Sequence, residues 1–424
     1  TTMLLWGYGL WGATDLDIRN GSAVALGFIA SYIVTSGFAW AIVRRGLFYF
    51  YQKEGGLARW SALRMWWISA RVALVLIVPG VLINAIYGVL PWSLFFVAVG
   101  YYIGLSILWL NWSLIYLVRK TPWLLLALAV SILLVIVAAR GMGWPVIAAN
   151  LAGLVVADAA TFLIALVAVN RWGRDGAGKP AVNPPRLAVL VYSTAQVFLY
   201  GLLYSAFIFM DRILAWTSTR GREDFPPYPF WLSARYELGM DLALIVIVVL
   251  AGVVEYATRR FSEMIVPAQK RIKSSNLDEF LSGFRSFFRR QAILIAVSAV
   301  FAIALAAVAY GALERNADPR LQESLRSATT VRVFWVAAVS YAVFMFALES
   351  ILVLMVLMRA DLAVRAIGFA LATNLAVGFI ISRSIHFSGS VIGLLVGSLV
   401  LAFLARRSVR RVVSELDYYY SAAY

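Results

Sequence analysis

The chain has 424 residues, of which 62% are hydrophobic and 14% are charged, and its formal net charge is +16. A soluble domain of this length could not cover so much apolar surface with so few polar side chains, so the composition excludes that class and indicates a polytopic membrane protein. The chain contains no cysteine, which excludes disulfides, thiolate nucleophiles and cysteine metal sites. Its single histidine, His386, leaves little room for histidine-based acid–base chemistry.

Apolar stretches long enough to cross a bilayer recur along the whole chain. One crossing needs about 20 mostly apolar residues. Residues 1–13 are interpreted as the second half of a truncated first span, and complete spans are predicted at 21–43, 65–88, 92–118, 122–139, 144–169, 187–210, 232–257, 291–311, 331–358, 364–384 and 389–405. Because none of these segments has the short alternating pattern of a barrel strand, the sequence predicts an all-α fold with twelve transmembrane helices.

The distribution of cationic residues predicts the orientation. If the N-terminus is cytoplasmic, most of the 37 lysines and arginines fall in inner loops, and the outer loops contain arginines interleaved with acids but no lysine. This asymmetry is typical of a protein with both termini inside. The basic loops would face the anionic inner leaflet, so the positive net charge requires no nucleic-acid partner. We therefore expect a multi-pass protein of the cytoplasmic membrane, surrounded by lipid.

A linker rich in Gly, Pro and charged residues, NRWGRDGAGKPAVNPPR (170–186), follows the sixth predicted span. It predicts an N-terminal six-helix bundle over residues 1–169 and a C-terminal six-helix bundle over residues 187–424, the latter ending in a basic cytoplasmic tail. Two such halves are a common transporter plan, with the substrate path between them. No residue-level repeat relates the halves, so the symmetry is inferred from the number of spans and the position of the linker.

A second feature of the C-terminal half is the segment SNLDEFLSGFRSFFRRQ (275–291), whose apolar residues recur at helical spacing. Asn276 can cap this helix. One interpretation is an amphipathic helix near 276–290 that lies on the inner membrane surface, where its arginines would meet lipid phosphates. The alternative is a simple extension of the next span.

Ionisable residues inside predicted spans are costly, at about 2.5–3.5 kcal/mol each on insertion scales, so each requires a reason. Neither Asp158 nor Glu349 has a cation within helical reach on its own segment, so each is expected either to line an aqueous cavity or to form an interhelical hydrogen bond. Glu255 lies one turn before Arg259, which predicts a local ion pair. The other ionisable candidates within or near the ends of spans are Arg71, Asp241 and Glu237.

Asp211 and Arg212 are adjacent near the end of the aromatic segment YSAFIFMDRILAW (204–216). Neighbouring residues point to different sides of a helix, so these two cannot simply neutralise each other. Aromatic faces such as Tyr204 beside carboxylate and guanidinium groups are typical of sugar recognition, because sugars present apolar C–H faces and hydroxyl edges. The alternative for the aromatic residues is a belt at the membrane interface.

Motifs for enzymatic chemistry are missing from the sequence. There is no GxxxxGK[ST] phosphate-binding loop, no Asp-rich metal loop and no pair of acids in a soluble segment, so no catalytic residue, metal or cofactor is predicted. His386 lies in SRSIHFSG, a short predicted outer turn, and is interpreted as a loop residue rather than a catalytic base.

Three segments together resemble Pel-type exopolysaccharide transporters. SYIVTSGFAWAIVRRGLFYFYQKEG (31–55) resembles their second span, and VYSTAQVFLYGLLYSAFIFMDRILAW (191–216) resembles their seventh, in which an Asp followed by a cation closes an aromatic segment. VVEYATRRFSEMIVPAQKRI (253–272) with FLSGFRSFFRRQ (280–291) is similar to their eighth span and its inner loop. Such transporters belong to the multidrug/oligosaccharidyl-lipid/polysaccharide (MOP) exporter superfamily. Arg212 stands where the family pattern has Lys.

The resemblance implies a MOP flippase-like fold that passes a polysaccharide or a lipid-linked glycan across the membrane by alternating access. It also implies that Asp211 and Arg212 belong to the translocation path and Glu255 to an inner gate. The basic inner loops would then dock a cytoplasmic glycosyltransferase and other export subunits. Further candidates for the path are Asp158, Glu349, Asp241, Arg71 and Tyr204.

Three alternative functions stay open at this level. In a cation-coupled efflux pump of the same fold, Asp158 and Glu349 would form an ion or proton site. In a non-transporting scaffold for a polysaccharide synthase, the interface between the bundles would be closed and dry. An intramembrane acyl- or glycosyltransferase would depend on His386.

Overall fold

A computed structural model describes residues 18–175, 185–222, 228–271 and 277–414, and these form a succession of helices. They are α1 (Ile18–Tyr51), α2 (Gly55–Val75), α3 (Ile77–Tyr87), α4 (Trp92–Leu117), α5 (Thr121–Ile136) with a π-helical turn (Val137–Gly141), α6 (Val146–Asp175), α7 (Leu187–Trp216), α8 (Ala234–Arg271), α9 (Leu277–Asn316), α10 (Pro319–Arg326), α11 (Ala328–Val356), α12 (Ala360–Ser384), a 3-10 turn (Phe387–Gly389) and α13 (Ser390–Ser414).

Eleven helical segments of the described residues are long and apolar enough to cross a membrane. They coincide with the second to twelfth predicted spans, so the predicted all-α polytopic fold is confirmed. The first predicted span, residues 1–13, lies outside the described residues.

Prolines and glycines set several helix boundaries. The span Gly55–Tyr87 is interrupted at Leu76, between α2 and α3. Pro79 explains the interruption, because it has no N–H for the carbonyl four residues earlier and its ring crowds that carbonyl. Gly88 then ends α3 with a left-handed φ of 58°, a conformation that glycine adopts without strain.

The chain divides into two compact units, and the boundary falls inside α7. The first unit takes in the described residues up to Ala206 together with residues 228–232, and the second takes in Phe207 to residue 222 and the described residues from Ser233 onward. The domain limits predicted from the sequence, at residues 169 and 187, stay a prediction. The predicted linker begins within α6, and residues 176–184 lie outside the described part.

In the first unit, α1 packs along α2 and α4, while α4 and α5 pack against α6. Leu110, Leu114 and Ile115 of α4 lie at the centre of its main apolar core. Gly27 allows the close approach of α1 to α4, since a Cβ atom at that position would lie 2.5 Å from the Ala98 carbonyl oxygen. Small residues at such contacts let helix backbones approach closely in membranes.

In the second unit, α8 packs against α9 and α11, and α13 packs against α11 and α12. Gly393 allows the close approach of α13 to α12, since a Cβ atom at that position would lie 2.6 Å from the Asn374 carbonyl oxygen. An aromatic and aliphatic core joins α8, α9, α11 and α13 and includes Phe261, Phe284 and Leu354.

The Phe-rich segment near residues 276–290 is part of α9, which runs without a break from Leu277 to Asn316. The described part of this segment is therefore an extension of the next span, which was the second of the two interpretations. Phe284 is buried against the Phe261 ring, with the ring centres 5.4 Å apart, so at least this phenylalanine packs within the unit. Asn276, the predicted cap, lies outside the described residues.

Candidate functional site

A cluster of charged side chains in the second unit joins the end of α7 to the start of α8. Arg212 places Nη1 3.0 Å from Glu237 Oε2 and Nη2 3.2 Å from Asp241 Oδ1. Glu237 and Asp241 are four residues apart and therefore share one face of α8. A single guanidinium thus bridges two carboxylates on a neighbouring helix.

Asp211 faces a different set of partners. Tyr236 donates its hydroxyl to Asp211 Oδ2 at 2.7 Å, and Ser390 donates to the Tyr236 oxygen at 3.1 Å. This relay ties α7 to α8 and to the start of α13. The other oxygen of the fully buried Asp211, Oδ1, has no hydrogen-bond partner among the described residues.

We call Asp211, Arg212, Glu237 and Asp241 the arginine cluster. Three carboxyl groups and one guanidinium give it an excess of acid. Trp216, one turn beyond Arg212, donates its indole N–H to Glu237 Oε1 at 2.7 Å. Arg212 and Glu237 are largely buried, but the Asp241 side chain is 38% exposed. The cluster therefore presents one accessible carboxylate, and its cation is already engaged by two acids.

The aromatic residues of α7 form two sets, one in each unit. In the second unit, the Arg212 guanidinium lies 5.7 Å from the Phe209 ring centre, and Phe207 stacks on Phe344. In the first unit, Tyr204 and Tyr200 both pack edge-on against Trp40, with ring centres 6.5 Å and 5.3 Å away.

Asp158 of α6 lies beside a polar network in the first unit. Asn111 accepts a hydrogen bond from the Trp66 indole at 3.1 Å and donates to the Asp158 carbonyl oxygen and the Thr161 hydroxyl, each also at 3.1 Å. The Asp158 side chain is half-buried, and its Oδ1 atom has no hydrogen-bond partner within the described part of the chain. The network fixes the backbone of α6 but leaves this carboxylate able to accept further hydrogen bonds.

Glu349 of α11 is buried, with 3% of its surface exposed. It lines a small cavity together with Gln291 of α9, and both side chains carry an oxygen that lacks a hydrogen-bond partner among the described residues. Glu349, which was predicted as a residue of the translocation path, thus lies against a cavity.

The remaining predicted residues lie apart from these groups. Arg71 is exposed on α2, and Glu255 is exposed on α8. Arg259 forms an ion pair with Glu263, four residues later, at 2.9 Å, and the predicted pair with Glu255, four residues earlier, stays a prediction. His386 caps the 3-10 turn through Nδ1, which accepts the Ser388 N–H at 3.2 Å.

Several polar residues of these groups were not singled out from the sequence. They are neutral side chains within apolar helices: Asn111, Thr161, Tyr236, Gln291 and Ser390. Asn111 and Gln291 could have been found, because an amide in a membrane span also needs hydrogen-bond partners. For Thr161 and Ser390 no such signal exists, since serine and threonine can bond the carbonyl groups of their own helix.

Solved structures show which fold the chain adopts. The Vibrio cholerae MATE transporter VcmN in its bent form is similar with a TM-score of 0.52 at 15% identity, covering 94% of this chain and 87% of that chain. A multidrug resistance MATE family transporter of the MOP superfamily gives a TM-score of 0.60 at 15% identity in its inward-facing conformation, covering 96% of this chain and 93% of that chain. A structure described as the outward-facing conformation of a multidrug resistance MATE family transporter gives a TM-score of 0.62 at 14% identity, covering 98% of this chain and 93% of that chain. The chain therefore shares the fold of these MATE transporters.

The family follows from the sequence match. The PelG family model, described as "Putative exopolysaccharide Exporter (EPS-E)", matches residues 20–420. The chain therefore belongs to the PelG family and is a membrane transporter. No curated protein sequence matches it.

Proposed function

We propose that this protein carries an exopolysaccharide, or the lipid-linked glycan from which one is built, across the cytoplasmic membrane by alternating access. The family match over residues 20–420 is the observation that carries the proposal, because it covers nearly the whole chain and the family description gives exopolysaccharide as the cargo. Alternating access is supported by MATE family transporters of similar fold, one in an inward-facing and one in an outward-facing conformation.

The accessible carboxylates are the groups that would meet the glycan. Asp241 is 38% exposed and Asp158 has a free acceptor atom. Ionised carboxylates accept hydrogen bonds and sugar hydroxyls donate them, so an uncharged or weakly charged glycan can be held at these side chains. Arg212 contributes by holding Asp241 in place, since its own charge is already paired. The packed rings of Trp40 and Tyr204 would offer an apolar face to the sugar.

The orientation and the partners belong to the same proposal. We place both termini in the cytoplasm, so that the basic loops face the anionic leaflet and the cytoplasmic glycosyltransferase that supplies the polymer. The chain itself would make no covalent bond in the glycan, because none of the charged groups described above forms a nucleophile and base pair.

Substitution of the two accessible acids tests which residues meet the glycan. Asp241→Asn and Asp158→Asn are each expected to lower polymer secretion about tenfold or more in cells that depend on this chain for export. A hydrogen bond to a charged group contributes about 1.5–3 kcal/mol, which is lost when the carboxylate becomes an amide. Secreted polymer would be quantified against the amount of protein in the membrane.

Glu263→Gln is the matched control, because Glu263 is an exposed acid of α8 whose partner is Arg259. Its secretion should equal that of the unchanged chain. Equal secretion by all variants would contradict the assignment of Asp241 and Asp158 to the path.

Reconstitution tests the cargo itself. Purified protein in liposomes should expose a fluorescent lipid-linked oligosaccharide to a membrane-impermeant quencher faster than protein-free liposomes do. Transport of small amphipathic cations without movement of the oligosaccharide would instead favour an efflux pump.

A further inference from the structure

One face of α11 is exposed, although α11 is the most deeply buried of the eleven described spans. Trp335 and Val339, four residues apart, are 46% and 41% exposed, and Phe346 continues the same face two turns further on. The Arg406 guanidinium of α13 lies 4.6 Å from the Phe346 ring centre and 4.9 Å from the ring centre of Phe288 on α9. The exposed face is therefore the floor of a groove between α9 and α13, which we call the α11 groove.

The length and the walls of the α11 groove suit an acyl chain. On α13, Leu399 and Phe403 lie on the Arg406 side of the helix and are 51% and 64% exposed. The floor runs eleven residues from Phe346 to Trp335, or about 16 Å at about 1.5 Å per residue. This is about half of a hydrocarbon core of about 30 Å, which is the depth of one leaflet.

The α9 wall carries two arginines at the Phe346 end of the groove. Phe287 packs toward Phe261 of α8, with ring centres 6.2 Å apart, and Phe288 meets α13. Successive residues turn about 100° around a helix, so Arg289 continues this turn and lies on the side of α9 away from α8. Arg285, four residues before Arg289, shares that side, and both arginines are exposed.

The α13 wall supplies two further arginines, Arg406 and the exposed Arg410 one turn beyond it. Arg406 is partly exposed, and its Nη1 atom has no hydrogen-bond partner in the described part of the chain, so Glu349 acts on it only through its field. None of the four arginines is ion-paired with a described acid. The sequence has no Asp or Glu at 280–313 or 390–414, so neither helix neutralises this charge itself.

We propose that the α11 groove binds one anionic phospholipid, whose phosphate lies among the four arginines and whose acyl chain lies along Val339 and Trp335. Guanidinium groups bind phosphate oxygens in bidentate geometry. A soluble acidic partner would meet the arginines but leave the apolar floor uncovered, and a lipid without net charge would leave the arginines unneutralised. In the orientation proposed above, the arginines face the cytoplasmic leaflet, which contains the anionic lipids.

Thermal unfolding of the purified full-length chain in an uncharged detergent tests the lipid site. Phosphatidylglycerol added to the micelles should raise the melting temperature to a plateau, because a ligand that binds only the folded state stabilises it. Phosphatidylcholine with the same acyl chains should give a smaller rise. Glycerol phosphate, which has the charge but no acyl chain, should give none at the same concentration. Native mass spectrometry should show one phosphatidylglycerol molecule retained per chain.

Substitutions at the basic end locate the site. Arg406→Gln and Arg410→Gln should each require about fivefold more phosphatidylglycerol for the same rise, since one basic residue near anionic lipid contributes about this factor. Arg410 is exposed, so its substitution should leave folding intact. Arg365→Gln is the matched control, because Arg365 is an exposed arginine near the same end of the unit on α12, which forms no wall of the groove. This variant should keep the full response.

The proposal is overturned if the two phospholipids raise the melting temperature equally, or if glycerol phosphate reproduces the effect of phosphatidylglycerol. Equal weakening by Arg365→Gln and Arg410→Gln also overturns it, since the lipid would then respond to the total charge and not to the groove. The measurements need no glycan, so their outcome is separate from that of the export assays.

Discussion

The second unit contains two buried acidic groups that differ in how completely their charges are paired. In the arginine cluster, the Arg212 guanidinium contacts Glu237 and Asp241, and Trp216 occupies the remaining Glu237 oxygen, although Asp211 Oδ1 lacks a partner among the described residues. In the small cavity that Glu349 and Gln291 line, a carboxylate oxygen and an amide oxygen have no partner in the described part of the chain. Paired buried charges hold helices in one arrangement, whereas a buried acid without a partner is costly for the fold. The contrast separates charges that hold the helices together from an acid that the fold does not need.

The largest effect is expected from removing the cation of the arginine cluster. Arg212→Met keeps much of the length of the side chain but leaves the largely buried Glu237 and the partly exposed Asp241 without their cation. Breaking a buried ion pair from one side costs about 3–5 kcal/mol, so this variant should unfold at much lower denaturant concentration or fail to accumulate in the membrane. Denaturant titration of the purified protein measures the loss.

Neutralising the partners supplies the control. Arg212→Met combined with Glu237→Gln and Asp241→Asn should recover most of the lost stability, because no uncompensated charge remains buried. If the triple variant is as unstable as Arg212→Met, the clamp depends on the shape of the arginine rather than on charge pairing.

A smaller loss is expected where Asp211 depends on one hydroxyl. Tyr236→Phe removes the donor to Asp211 Oδ2 and leaves both carboxylate oxygens without a side-chain partner. An unsatisfied buried acceptor costs about 1–3 kcal/mol. The ring contact between residue 236 and Phe387 is unchanged by this substitution, so packing should be preserved.

Ser390→Ala is the matched comparison for Tyr236→Phe. It removes the outer member of the relay but leaves the Tyr236–Asp211 bond, and should cost about 1 kcal/mol, the net contribution of an ordinary hydrogen bond. Equal losses in the two variants would show that Asp211 does not rely on Tyr236. Both losses are read from the same denaturant titration.

The sequence predicted the helices better than their interruptions. Each of the eleven described spans was identified from apolar length, because the bilayer requires that length whatever the tertiary contacts are. The interruption at Leu76 was missed although Pro79 lies three residues beyond it, since the prediction counted apolar residues only. Whether residues 277–290 extend α9 could not be decided locally, because Phe284 packs on Phe261 of another helix.

Candidate site residues could be chosen from the sequence, but their partners could not. Adjacency alone shows that Asp211 and Arg212 point to different sides, and the structure gives them separate partners. The identity of those partners depends on how α7, α8 and α13 pack, which no local pattern contains. Gln291 was overlooked beside Glu349 because only ionisable residues were counted as costly in a span.

The smallest effect on stability is expected at the small cavity that Glu349 and Gln291 line. Glu349→Gln removes a charge that no hydrogen bond compensates, and the new amide can donate to the Gln291 oxygen across the cavity. The variant should therefore differ from the unchanged chain by less than about 1 kcal/mol, or be more stable. Denaturant titration of the purified protein measures this difference. A loss as large as that of Arg212→Met would mean that the protein already pairs Glu349, and the contrast with the arginine cluster would fail.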